Sequence, residues 1–222
     1  MRRWKRAQRA ERTHPSHGSI NSDRAAAKEL FDHHWGVDVS ALDDQTVLAV
    51  GGGTGVIHAL ERPRLLVSLD PLYEEKRIPR SRTHADVVCG SGEYIPFSDD
   101  SFDTVFSDNV MDHTLHPVSV LEEIHRVLRS DGLFLLSVNT FNISKVVRKL
   151  LGVVDKPHPH HFSPEEVERM LRSAGFELRR TDRQKHWFTD SGTLSLLAQN
   201  EFKKAGGKLA RIERFCAVCR LE

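Results

Sequence analysis

The sequence predicts an α/β fold, a mostly parallel sheet with helices on both faces and an antiparallel last strand. Three observations carry this. From Val47 onward, short apolar runs alternate with segments of helical period, which argues for parallel strands joined by covering helices. A glycine-rich turn follows the first of these runs, and after Gly175 two strand-like stretches close the chain.

Upstream of the first strand, DRAAAKELFDHHWG reads as a helix with Ala26, Leu30 and Phe31 on one side, joined to the sheet by VDVSALDDQT. Residues 1–45 are therefore taken as an N-terminal helical segment, either a lid or a helix packed on the sheet edge. Residues 46–222 form the main domain, and the whole is expected to be one globular unit. The strand candidates are VLAV (47–50), LLVSLD (65–70), ADVVCG (85–90), TVFSDN (104–109) and LFLLSV (133–138).

In SVLEEIHRVLRSDG, residues Val120, Leu121, Ile124, Val127 and Leu128 make one helical stripe, with Asp131-Gly132 as its stop. A second helix starts at Ser163-Pro164-Glu165-Glu166, with Ser163 as N-cap, Pro164 at the first position and Glu166 completing a capping box. Its stripe is Val167, Met170, Leu171 and Ala174, and Gly175 ends it. FELRRTDRQ and RFCAVCRLE then read as strands separated by a helix around residues 193–204.

A chain of 222 residues with 32 basic and 31 acidic side chains has no overall field favouring nucleic acid or an anionic surface. No stretch reaches the roughly 20 apolar residues of a membrane span, and no apolar segment follows the basic start MRRWKRAQRAER, so a cytoplasmic protein is expected. Cys89, Cys216 and Cys219 are too few for a disulfide framework or a four-cysteine zinc site. Cys216-Ala-Val-Cys219 is read as ordinary strand.

Glycines at 51, 53 and 55 allow a sharp turn after a strand and bring bare backbone N–H groups against a ligand at a helix start. The dinucleotide pattern G-x-G-x-x-G fails, because its last glycine would fall on Val56. At the end of the second strand stands Asp70, where a carboxylate can accept from both hydroxyls of a ribose.

In VLAVGGGTG, SLDP, CGSGEYIPFSDDSFDTVFSDNVMDH, LEEIHRVLRSDGLFLLSV and HHFSPEEVERMLRSAGF, the chain resembles the class I S-adenosylmethionine-dependent methyltransferases. The likeness is strongest to the group that includes the ubiquinone and menaquinone C-methyltransferases. It implies a Rossmann-like, seven-stranded sheet with S-adenosylmethionine across the carboxyl ends of the first strands. It also implies cofactor contacts at Gly51, Gly53, Gly55, Asp70, Pro71, Ser91, Gly92, Asn109 and Val110. Phe31, His34, Trp35 and His161 would border the acceptor pocket. His113, with Asp112 as a second candidate, would stand beside the acceptor.

Two positions depart from the family pattern. Ala49 stands where a carboxylate usually helps hold the cofactor's ammonium end, and a lost charge-assisted hydrogen bond costs about 1.5 to 3 kcal/mol. Ser91 stands where an Asp usually accepts from the adenine amino group.

Methyl transfer from a sulfonium is an in-line displacement for which positioning supplies much of the rate. Acceptors that must lose a proton need a base, a role suited to a histidine near its ordinary pKa of about 6.5. The run Pro157-His158-Pro159-His160-His161 is not read as a metal site: a Pro-interrupted loop has no helical face to aim ligands, and no carboxylate pattern lies nearby in sequence.

The resulting expectation is methyl transfer to a small-molecule or lipid-like acceptor, with nucleic acid disfavoured and any protein partner open. A noncatalytic module that senses the cofactor or serves a partner subunit is the alternative, favoured by Ala49 and Ser91. A nicotinamide-dependent oxidoreductase is disfavoured by Val56.

Overall fold

The structure is a computed structural model that describes residues 24–51, 57, 59–73, 85–148, 158–185 and 212–222. Seven strands form one sheet in the order β3-β2-β1-β4-β5-β7-β6. They are β1 (Thr46–Val50), β2 (Leu65–Leu69), β3 (Asp86–Val88), β4 (Phe102–Asp108), β5 (Leu128–Phe141), β6 (Phe176–Lys185) and β7 (Ile212–Leu221). The first five are parallel, and β7 runs antiparallel to both of its neighbours, β5 and β6. The expected antiparallel last strand is present. The gly-turn residues Gly53, Gly55 and Val56, the helix expected around 193–204, and the basic start lie outside the described residues.

Both faces of the sheet are covered, which is why β1 is apolar from Val47 to Val50 and buried throughout. On one face lie Leu48, Val50, Val105, Phe134, Leu136 and Ala217, under α2 (Pro117–Val127) and α3 (Pro164–Ser173). On the other lie Val47, Ala49, Phe106, Leu135 and Cys216, under α1 (Arg24–Trp35). Side chains alternate between faces along each strand, so Cys216 and Cys219 belong to opposite layers. Burial pushes each thiol up to about 12, and both are inert core residues.

Phe31 and Trp35 of α1 are 0% and 1% exposed. Their rings meet edge-on at 4.8 Å, and the Trp35 indole N–H donates to the Leu136 carbonyl at 3.0 Å. Arg180 of β6 donates to the Trp35 carbonyl at 3.1 Å, and Gly36, at φ +58°, leaves room for that guanidinium. α1 is thus packed on the sheet as part of its core.

α3 has the capping box read from the sequence: the Glu166 amide donates to Ser163 Oγ at 3.3 Å, and the Ser163 amide to Glu166 Oε2 at 2.9 Å. Gly175 follows it at φ +83°. α2 differs from expectation, ending at Val127 rather than at Asp131-Gly132. Phe102 pairs with Leu128 and Thr104 with Leu133, so β5 begins at Leu128 and residues 129–132 bulge between the two pairings. Leu128 is buried as a strand residue. The helical period includes it, and only the partner strand reveals where the helix stops.

Candidate functional site

The turns that matter leave the carboxyl ends of β1, β2, β3 and β4, and the strand ladder extends one step to hold each. Gly51 donates to the Leu69 carbonyl (2.8 Å), Asp70 to Val88 (3.1 Å), Gly90 to Asp70 (3.4 Å) and Asn109 to Ser137 (2.8 Å). Gly51, Asp70, Ser91 and Asn109 therefore lie along one edge of the sheet, where ligands bind open α/β sheets.

Gly51 has φ +85°, and a Cβ there would come 2.0 Å from a Val110 methyl. Only glycine satisfies both constraints. This brings the β1 turn directly against the β4 turn.

Asp70 is 9% exposed, and its Oδ1 accepts from the Leu72 amide at 2.7 Å, which fixes the carboxylate's orientation. Pro71 is exposed and its carbonyl accepts from the Cys89 thiol at 3.7 Å. Ser91 donates its hydroxyl proton to Glu93 Oε2. The other Glu93 oxygen accepts from the amides of Leu115 (2.8 Å) and His116 (3.2 Å) at the start of α2. Burial alone would raise the Glu93 carboxyl, but these donors outweigh it and hold the pKa below its usual value. Gly92 packs with room for no more than a tight Cβ, 3.1 Å from Val50 and 3.2 Å from Val120.

Beyond β4 the picture changes. Asn109 is left-handed at φ +56°, a conformation uncommon outside glycine, and a short turn of 3-10 helix follows over Met111–His113. Asn109 Oδ1, both Asp112 carboxylate oxygens, His113 Nδ1 and Ser107 Oγ are buried without a hydrogen-bond partner among the described residues. Native interiors rarely leave such groups unpaired, and their concentration in residues 107–113 makes this turn the candidate place for a ligand. His113 Nε2 stands 3.8 Å from Asp112 Oδ1, and the His113 ring lies 4.7 Å from that of His158.

The remaining predicted residues divide. Phe31 and Trp35, expected to border the acceptor pocket, are closed inside the core and present no surface to a ligand; their size and apolarity serve packing of α1. His34 is 3% exposed, between Asp108 (Nδ1 to Oδ1, 3.8 Å) and Arg214 (3.3 Å). Burial drives its pKa down to about 4, against the pull of Asp108, and Arg214 and His33 add to the lowering. Arg214 also reaches Asp108 at 3.1 Å, and Ser137 donates to the same carboxylate oxygen. This ionic layer under β4, β5 and β7 escaped sequence reading because its members come from distant segments. His161 faces the Phe141 ring at 4.8 Å and lines a cleft of about 650 Å³ with Lys145, Arg148, Glu166 and Arg169.

Ala49 is fully buried in the layer beneath α1. Its position is filled by packing, not by a substitute carboxylate on β1.

Residues 48–136 match the family model of the methyltransferase domain. Over that span the chain is similar to the methyltransferase domain family. An uncharacterized protein of Methanocaldococcus jannaschii is 32% identical over 61% of this chain and 63% of its own length. A ubiquinone/menaquinone biosynthesis C-methyltransferase of Rubrivivax gelatinosus is 30% identical over 60% and 63%. An uncharacterized methyltransferase of Mycolicibacterium gilvum is 34% identical over 58% and 52%, so the chain spans between about half and two thirds of these relatives.

The fold extends further than the sequence likeness. A putative methyltransferase of Bacillus halodurans superposes with a TM-score of 0.62 at 21% identity, covering 90% of this chain and 99% of that one. The [4+2]-cyclase SpnF superposes at 0.60 and 19% identity, covering 89% and 81%. The methyltransferase domain's architecture therefore also carries a chemistry other than methyl transfer. No helix among the described residues is long and apolar enough to cross a membrane.

Proposed function

We propose that the chain transfers a methyl group from S-adenosylmethionine to a small-molecule or lipid-like acceptor. The observation that carries this reading is the run of orphaned polar atoms at residues 107–113, set against the Gly51 and Asp70 turns. The residues fit the cofactor on structural grounds: Asp70 stands at the end of β2 with its carboxylate oriented by the Leu72 amide, and Asn109 Oδ1 lacks a donor that a bound ligand can offer. When bound, S-adenosylmethionine supplies an electrophilic methyl on a good leaving group.

In this reading Asp70, already oriented by the Leu72 amide, holds the ribose hydroxyls. The backbone at Gly51, Gly53, Gly55 and Pro71 borders the cofactor. Ser91 and Gly92 lie beside the adenine. Because Ser91 gives its own proton to Glu93, its oxygen keeps lone pairs for the adenine amino group, strengthened by the neighbouring carboxylate. That relay compensates in part for the missing Asp. Asn109 and Val110 approach the methionine end, and Asp112 and His113 face the acceptor, with His161 on the side of the adjoining cleft.

Calorimetric titration with S-adenosylmethionine and S-adenosylhomocysteine tests the reading, with NADH as control. Micromolar binding to both sulfur ligands is expected. Binding to neither would favour a second reading, a noncatalytic module serving a partner subunit, which the absence of a carboxylate from β1 supports.

A further inference from the structure

We propose that Asp112, His113 and His158 form a binding site for a divalent transition-metal ion, zinc or a close relative, beside the acceptor position. One donor atom from each of the three side chains lies within 4.8 Å of the other two. The Pro-interrupted histidine run does not by itself set its imidazoles against a carboxylate. The fold instead brings one from the β4 turn.

The cluster is held by more than proximity. The His160 amide donates to the Asp112 carbonyl at 3.3 Å, and the His160 ring bonds the Thr114 carbonyl at 3.1 Å. The Phe141 amide donates to Phe162 at 2.8 Å, which lays the histidine segment along the end of β5. Two separate stretches of chain are thus laced together on either side of the three donors.

Asp112 supplies the independent sign that something binds here. It is 1% exposed, and neither carboxylate oxygen has a hydrogen-bond partner among the described residues. A buried carboxylate without partners is costly unless a cation neutralises it. His113 Nε2 at 3.8 Å is too far for a hydrogen bond, and the other ring nitrogen, Nδ1, is itself buried and unpaired. One ion would satisfy both residues.

The donor set selects the ion class. Two imidazoles and one carboxylate suit zinc, iron, cobalt or nickel rather than magnesium or calcium, which prefer oxygen. Metal–ligand distances of about 2.0 to 2.2 Å put tetrahedral donors roughly 3.4 Å apart, so no donor pair need close by more than about 1.4 Å. Three protein ligands leave a coordination position open. An acceptor oxygen bound there would lose its proton more readily than in water. This use of the ion rests on the methyl-transfer reading; the site itself does not.

Titration of the chelator-treated, cofactor-free full chain with cobalt(II) chloride, followed by visible absorption and zinc competition, tests the site apart from methyl transfer. Saturable binding of one ion is expected, weakened at least tenfold in Asp112→Asn and in His158→Gln, with circular dichroism showing that both variants stay folded. Absence of saturable binding in the unaltered chain would overturn the proposal. So would binding that both variants retain at full affinity. Neither result touches the calorimetric test of cofactor binding, so the two readings fail separately.

Discussion

The two halves of the candidate site are built on opposite terms. In the turns after β2 and β3, the polar groups are held within the protein: Asp70 takes the Leu72 amide, Ser91 bonds Glu93, and Glu93 ties the Ser91 turn to the start of α2. After β4, Asn109, Asp112 and His113 are buried with atoms left unpaired. The first half is assembled before any ligand arrives and should bind with little rearrangement. The second leaves polar atoms unpaired, and under the proposed function it is the half to which selectivity among acceptors belongs.

That contrast breaks most visibly at His113. Replacement by Ala should cut turnover by about 100-fold or more while leaving S-adenosylhomocysteine affinity unchanged, measured in any acceptor assay that the unaltered chain supports. Full activity would remove the β4 turn from the chemistry. Gly51, where the halves touch, comes next. Gly51→Ala places a methyl against Val110 at an unfavourable φ, and should lower stability by about 2 to 4 kcal/mol, read by denaturant unfolding. An unchanged midpoint would mean that the two turns part without cost.

Beneath the second half, His34 is kept neutral by burial, with Asp108, Arg214 and His33 around it. Its folded pKa, about 4, lies below the 6.5 of the unfolded chain, so between these values the unfolded state binds the extra proton. Its stabilising effect is complete above pH 6.5 and is lost as pH falls toward 4, with about 2 kcal/mol gone by pH 5. His34→Gln should flatten that slope in unfolding curves measured from pH 7 to 5, and an identical slope would show that His34 does not cause it.

The smallest effect belongs to the preassembled half. Asp70→Ala should weaken cofactor binding by at least tenfold, about 1.4 kcal/mol, and unchanged affinity would refute the ribose role.

Strands and the α3 cap were legible because their signals are local. A capping box needs only Ser163 and Glu166, and β1 announces itself by the unbroken apolar run from Val47 to Val50. Gly51, Asp70 and Asn109 stood out for the same reason, each closing a strand. What escaped needed partners distant in sequence. Leu128 looks helical until Phe102 claims it as a strand residue, and the sidedness of α1 shows that Phe31 is buried without showing against what. Asp112 and His158 become neighbours only when the loop after β5 folds back over β4.

β7 has a consequence for synthesis. It occupies the slot between β5 and β6, and among the described residues β6 pairs with no other strand. As the chain leaves the ribosome, residues 176–185 emerge before this strand partner exists, while β5 presents an open edge that is apolar on both faces. Emerging at about 5 to 20 residues per second, the nascent sheet waits seconds with two unfilled edges. That interval is an opening for chaperones and for aggregation alike, and it ends only when residues 212–221 insert between the waiting strands.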